Sequence, residues 1–81
     1  MRIEVVEWDE HNLEHATSHG VSVPEIEQAI ANAATVRRNK RGRAGDVRFD
    51  STTDGGRSVV VIAAYDRARR VIRPITAWEA T

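Results

Sequence analysis

The segment Arg57–Ala64, RSVVVIAA, constrains the fold of this 81-residue chain more than any other stretch. Its two alternating side-chain sets are both apolar, namely Val59, Val61 and Ala63 on one side and Val60, Ile62 and Ala64 on the other. A strand that is apolar on both sides is typical of the centre of a sheet, because both of its faces are covered. The turn residues Asp54–Gly56 precede it and Tyr65–Arg69 follow it, so the sequence predicts a central strand with a strand on each side.

Two segments supply these neighbouring strands. Asp46–Thr53 alternates Val47 and Phe49 with polar residues, and Val71–Ala77 is a second apolar strand. The short connections predict antiparallel pairing. Pro74 cannot donate a hydrogen bond to a ladder, so the last strand is expected to lie at an edge or to be bulged there.

The segment before these strands is basic. Thr35–Arg38 is a candidate fourth strand, and Asn39–Gly45, NKRGRAG, combines bases with glycines. Such a composition is typical of an exposed, mobile hairpin loop.

The N-terminal half predicts a short strand followed by a helix. Arg2–Glu7 is expected to form an edge strand. Asp9 is a suitable N-cap for a helix over roughly Glu10–Ser18, and Gly20 is a suitable stop. This helix is expected to bury Leu13 and Ala16.

A second helix start is better specified. Ser22 and Glu25 match a capping box, Val21 and Ile26 are spaced as a hydrophobic staple, and Pro24 lies in the first turn. The apolar face of this helix consists of Ile26, Ala29, Ile30 and Ala33. Its end is expected near residues 32–34. The sequence therefore predicts one α+β domain over residues 1–81: an N-terminal strand, two helices, then three or four antiparallel strands, with the helices packed on one sheet face.

Composition narrows the class of protein. Cysteine is absent, which excludes disulfides and thiolate chemistry, and no apolar run is long enough for a transmembrane helix. The N-terminus lacks the apolar core of a secretory signal, so a cytoplasmic protein without membrane contact is expected.

Charge is segregated although the net charge is zero. Residues 1–34 contain one base and seven acids, which leaves −6, and residues 35–81 contain eleven bases and five acids, which leaves +6. Such asymmetry is typical of a protein with a nucleic-acid or acidic partner, but the two halves can also neutralise each other across the fold. The sequence leaves both interpretations open.

Several local strings occur in an order that resembles one family. They are EWDE at residues 7–10 with Asn12, HGVS at residues 19–22, TDGGR at residues 53–57, and IRPITA at residues 72–77. Together they resemble the BrnT-like toxins, small RelE-fold ribonucleases of bacterial type II toxin–antitoxin pairs. The resemblance implies a toxin that cleaves RNA without a metal or another cofactor. It also implies a small DNA-binding antitoxin, of ribbon-helix-helix type, as partner. Whether the chain forms a homodimer or a toxin–antitoxin hetero-oligomer is left open.

Metal-free cleavage of RNA requires cations on the phosphate and a group that transfers protons. Arg48 and Arg73 are the candidate catalytic cations, because a planar guanidinium can hold two phosphate oxygens at once. His19 is the candidate proton-transfer group. The alternatives are that both arginines are solvated strand residues and that His19 caps a helix end.

A further set of residues is predicted to bind RNA. Basic residues would hold the phosphate backbone and Trp78 would stack on an unpaired base, whereas the alternatives are a solvated loop and a packing role for the tryptophan. The set consists of Arg37, Arg38, Lys40, Arg41, Arg43 and Trp78.

Two departures from the family pattern motivate a second functional hypothesis. Trp78 stands where the family often has an arginine, and the family often continues into a basic C-terminal helix. The alternative is a catalytically degenerate binding module that pairs with an antitoxin without cleaving RNA.

The pattern H-x-x-E-H at residues 11–15 could place two histidines on one helix face for zinc, but a catalytic site needs a third ligand. No metal ligand is therefore predicted.

Overall fold

The computed structural model of the chain describes residues 1–39 and 45–80. The elements within them are β1 (Val5–Val6), α1 (Glu10–Ala16), α2 (Val23–Asn32), β2 (Arg37–Arg38), β3 (Val47–Thr52), β4 (Ser58–Asp66) and β5 (Val71–Glu79). The strands form one mixed sheet in the order β1-β5-β4-β3-β2. The predicted α+β class is confirmed. Most of the predicted loop, at residues 40–44, lies outside the described residues.

The middle strand of the sheet is β4, as the doubly apolar pattern predicts. Val59, Val61 and Ala63 belong to the core cluster that the helix residues Ile26 and Ala29 share. The alternate side chains Val60 and Ile62 are only 2% and 4% exposed but lie outside that cluster. Strand β4 is therefore covered on both faces, and the helices cover only one of them.

Strand β5 lies between β4 and β1, but β1 pairs only with Val71 and Ile72. The start of β5 is therefore an inner strand, whereas Pro74 has a strand partner only on its β4 side among the described residues. The predicted edge position is thus wrong for the start of β5 and confirmed at Pro74. The alternative prediction of a bulge is confirmed. Ile62 pairs with Thr76 and Ala63 with Pro74, which leaves Ile75 as an extra residue on β5. Pro74 itself still pairs with Ala63 beside the bulge, and its backbone oxygen accepts a hydrogen bond from Asn12 Nδ2.

Helix α2 begins as the sequence predicts. The Ser22 Oγ accepts a hydrogen bond from the Glu25 N–H at 3.3 Å, and the Ser22 N–H donates to Glu25 Oε1 at 3.1 Å. Val21 and Ile26 are both buried, so the predicted staple positions are inside. The helix ends at Asn32, within the predicted range.

Helix α1 buries Ala16 as predicted but differs from the prediction in its length and at Leu13. It ends at Ala16, and Leu13, which was expected inside, is 41% exposed. Asn12 is buried instead, at 2% exposure. Its Nδ2 donates to the backbone oxygens of Glu7 at 3.0 Å and Pro74 at 2.9 Å. A short helix fixed by these polar contacts turns Asn12 rather than Leu13 toward the sheet.

None of the helices in residues 1–39 and 45–80 combines the length and apolar character needed to cross a membrane. Both pack on the same side of the sheet, α1 against β5 and α2 mainly against β3. The opposite side of the sheet therefore carries no helix among the residues described.

The unequal roles of Asn12 and Leu13 give a direct test of this arrangement. Asn12→Ala is expected to lower the free energy of unfolding by about 1–3 kcal/mol, because the buried oxygen of Pro74 and the partly buried oxygen of Glu7 lose their donor. Leu13→Ala, the neighbouring control, is expected to change it by no more than about 0.5 kcal/mol. Urea denaturation measures both. A larger loss for Leu13→Ala than for Asn12→Ala would contradict the buried face described here.

Candidate functional site

The side of the sheet opposite the helices is called the open face. Directly paired residues in an antiparallel sheet point to the same side, and the pairings Arg37–Arg48, Arg48–Ile62 and Asp50–Val60 therefore place these side chains together. The open face includes Arg37, Arg48, Asp50, Val60, Ile62, Ala64, Arg73, Thr76 and Trp78. None of these residues belongs to the core cluster under the helices.

Arg48 and Arg73 lie on this same face. Arg48 is on β3 opposite Ile62, and Arg73 is on β5 opposite Ala64, with β4 between them. Two strand spacings separate β3 from β5, which is about 10 Å. Their side chains are 37% and 28% exposed, so both guanidinium groups are accessible. Their catalytic roles stay predictions.

Asp50 joins Arg37 and Arg48 into one charged cluster. Arg37 Nε donates to Asp50 Oδ2 at 3.0 Å, and Arg48 Nη2 donates to Asp50 Oδ1 at 3.0 Å. The hydrogen bond from Arg48, followed by that from Arg37, lowers the pKa of the Asp50 carboxyl. The cluster thus contains two cations and one anion, and it keeps an excess of one positive charge.

Arg73 is paired at the other side of the open face. Its Nη1 lies 2.8 Å from Asp9 Oδ2 and 3.6 Å from Glu7 Oε1. The hydrogen bond from Arg73, assisted by that from the Asn12 N–H, lowers the pKa of Asp9 to about 2. Asp9 is also the N-cap of α1. One carboxylate therefore connects the start of the helix to a cation of the open face.

Trp78 lies beside Arg48 above the central strand. The Arg48 guanidinium carbon lies over the indole at 6.0 Å from the ring centroid. Trp78 pairs with Val60, and Arg48 pairs with Ile62, so the two side chains meet diagonally across β4. The near-complete burial of Val60 and Ile62 indicates that Trp78 packs on the sheet. Its stacking on a base stays a prediction.

The structure does not bring His19 to these residues. His19 lies exposed in the turn between α1 and α2, on the helix side of the sheet. Arg38 pairs with Val47, which belongs to the helix-side core, so Arg38 points away from the open face. The other three residues predicted to bind RNA lie outside the described residues; they are Lys40, Arg41 and Arg43.

The zinc pattern finds no third ligand in the part of the chain that the structure describes. His15 Nδ1 is 2.7 Å from the backbone oxygen of Ile75, so its ring bonds to the sheet. Residues 1–39 and 45–80 contain no group of three His, Cys, Asp or Glu side chains arranged to hold a metal ion.

A groove at the β2 end of the sheet extends the basic surface. It has a volume of about 710 Å³, and Arg37, Arg38 and Arg67 contribute to its lining together with Asp46. Arg37 thus belongs to both the open face and the groove. Arg67, in the turn between β4 and β5, is a basic residue of this surface that the sequence did not single out.

Sequence reasoning also missed the acidic partners of the site. Asp50 follows Arg48 by two residues in a strand, and this spacing alone places both side chains on one face. Asp9 is 64 positions from Arg73, so no local pattern could have paired them. The bulge at Ile75 and the parallel pairing of β1 set that contact.

Comparisons with known proteins identify no relative. No protein-family model, no curated protein and no solved structure matches this chain at the significance required of each search. A functional proposal therefore has to be based on the geometry of the open face and on the local strings that resemble the BrnT-like toxins.

The link between Asp9 and Arg73 predicts how stability depends on pH. The folded-state pKa of Asp9 is about 2, below its unfolded value of about 3.9. Asp9 therefore contributes stability above about pH 4, and this contribution is lost as the pH falls toward 2. Asp9→Asn keeps the helix cap but removes the charge. It is expected to flatten the dependence of the unfolding temperature on pH between about 4 and 2.

Glu14→Gln is the matched control, because it removes an exposed carboxylate from the same helix. Thermal unfolding followed by circular dichroism at several pH values measures both variants. An Asp9→Asn profile parallel to that of the parent protein would contradict the ion pair.

Proposed function

We propose that this chain is a BrnT-like toxin: a metal-independent endoribonuclease that holds RNA on its open face and pairs with a cognate antitoxin. The observation that carries the proposal is the position of Arg37, Arg48 and Arg73 on one helix-free sheet face beside Trp78. An accessible surface that combines arginine forks with an aromatic ring is typical of proteins that bind single-stranded nucleic acid.

The proposed reaction is a transfer within the RNA strand. The 2′-hydroxyl oxygen attacks the adjacent phosphorus, the bond from phosphorus to the 5′-oxygen breaks, and a 2′,3′-cyclic phosphate and a 5′-hydroxyl result. The 2′-hydroxyl gives up a proton and the 5′-oxygen takes one, so protons balance. Arg48 and Arg73 would stabilise the charge that develops on the phosphate oxygens, which is the task for which guanidinium groups are suited.

Asp50 on the open face and Asp9, the N-cap of α1 beside it, would act as placeholders for the phosphates. Asp50 forms an ion pair with Arg48 at 3.0 Å, and Asp9 forms one with Arg73 at 2.8 Å. A phosphate can take over part of these hydrogen bonds, because guanidinium groups bind both kinds of oxyanion with the same fork. Binding should therefore weaken with increasing salt, as expected when phosphate contacts dominate.

A binding module that does not cleave RNA is the second candidate. It is favoured by the proton chemistry of the open face. A carboxyl with a pKa of about 2, such as Asp9, is a poor proton acceptor near neutral pH. His19 lies on the helix side of the sheet. On this alternative the same arginines bind RNA or an antitoxin, and the phosphodiester stays intact.

Arg73→Ala tests the leading proposal. If Arg73 stabilises the transition state, the variant should cleave RNA about 100-fold more slowly in EDTA than the parent protein. Arg2→Ala is the control, because Arg2 is a highly exposed arginine whose side chain is paired with Glu4 at 3.4 Å. Gel analysis of end-labelled RNA gives the rates, and thermal unfolding verifies that both variants are folded.

The same assay separates the two candidates. Cleavage in EDTA that Arg73→Ala slows and Arg2→Ala leaves unchanged supports the nuclease. Intact RNA, together with a stable complex between the chain and the product of the adjacent gene, supports the binding module. Equal cleavage by Arg73→Ala and the parent protein would contradict the assignment of Arg73.

A further inference from the structure

The Arg48 guanidinium lies over the Trp78 indole on the open face. The guanidinium carbon is 6.0 Å from the ring centroid, at the outer limit of an effective cation–π interaction. A base can stack on the indole face that Arg48 covers only if the guanidinium moves away from the ring.

The surroundings of the pair suit such a movement. The Arg48 side chain is 37% exposed, and its hydrogen bonds to Asp50 leave Nη1 without a hydrogen-bond partner among the described residues. Trp78 belongs to the long strand β5 and pairs with the buried Val60 of β4, so its backbone is held by the β4–β5 ladder. One side of the pair is thus rigid and the other is an adjustable side chain.

We infer that Trp78 and Arg48 are the two sides of a clamp that holds one unpaired nucleobase of a single-stranded nucleic acid. The inference rests on the proposed function for the RNA substrate but concerns binding, not cleavage. The indole stacks on one face of the base and the guanidinium plane on the other, a combination that recognises unpaired bases in general. Arg37, held by the same Asp50, lies beside the clamp and binds the adjoining phosphate.

The clamp predicts which class of nucleic acid the protein binds. A base inside a duplex is stacked on its neighbours and presents no free face, so duplex RNA is excluded. The clamp contacts the base and not the sugar, so single-stranded DNA of the same sequence fits it as well. Every base has a π-face, so the clamp on its own gives little sequence preference.

Fluorescence of Trp78 tests the clamp without any cleavage step. Trp8→Phe makes Trp78 the only tryptophan of the full chain, since the sequence contains two. The probe is an unstructured 2′-O-methyl RNA oligonucleotide, which lacks the attacking hydroxyl, and the DNA strand and the RNA duplex of the same sequence are the other arms. Saturable quenching by both single strands, and not by the duplex, is the expected result.

Two substitutions at Trp78 separate stacking from packing. Trp78→Leu keeps an apolar cover over Val60 but loses the ring, and it should weaken binding about tenfold or more. Trp78→Phe keeps an aromatic face and should stay within about threefold of the parent. Arg48→Ala should also weaken binding about tenfold, whereas Arg2→Ala should not. Fluorescence anisotropy of a labelled strand measures all four, and thermal unfolding verifies that each is folded.

The outcomes distinguish this inference from the proposed function. Quenching of Trp78 by the single strands, together with weaker binding by Trp78→Leu but no cleavage of natural RNA, would support the clamp and overturn the nuclease. If the parent protein cleaves RNA but Trp78→Leu binds the single strand as tightly as Trp78→Phe, the clamp is overturned and the nuclease is supported. Equal quenching by the duplex would also overturn the clamp.

Discussion

The double burial of β4 is the constraint on which the rest of the structure depends. A small domain has little apolar surface to spare, yet this strand places Val59 and Val61 on one side and Val60 and Ile62 on the other. The two helices cover the side that carries Val59 and Val61. On the second side, Trp78 and Arg48 meet across the strand. The residues that cover the centre of the open face are thus the same residues that the proposed function uses.

The charge segregation seen in the sequence has two consequences in the fold. At the β1–β5 side, bases of the second half pair with acids of the first half: Arg73 with Asp9, Arg69 with Glu7, and Arg70 with Glu4. At the start of α2, Glu25 likewise pairs with Arg57. There the two halves neutralise each other. At the β2–β3 side, Asp50 is shared by Arg37 and Arg48, and Arg38 and Arg67 line the adjoining groove with Arg37. Positive charge therefore remains at that side of the sheet, where a polyanion would be attracted.

The sequence predicts those parts of the structure that local patterns determine. The central position of β4, the capping box at Ser22 and the shared side of Val47 and Phe49 follow from periodicity and capping chemistry. The orientation of α1 does not, because the contact that fixes it runs from Asn12 to Pro74, 62 positions away. The parallel pairing of β1 likewise depends on contacts between distant parts of the sequence, which no local pattern predicts. It gives the start of β5, at Val71 and Ile72, a second strand neighbour.

The same distinction applies to the candidate site. Side chains alternate between the two faces of a strand. Because Phe49 and Ile72 face the core, this alternation is sufficient to place Arg48 and Arg73 on the other face. It cannot indicate that each guanidinium would meet a carboxylate. Nor could it show that His19, predicted as their partner, lies in the helix layer, since that depends on which side of the sheet the helices pack.

The central claim is that the open face, and not the helix layer, is the functional surface. Titration of the ¹⁵N-labelled chain with single-stranded RNA, followed by two-dimensional NMR, tests it most directly. The account predicts shifts for the Trp78 indole N–H, the Arg48 and Arg73 Nε–H groups and the amides of β3 and β5. Shifts confined to α1, α2 and the turn around His19 would contradict it.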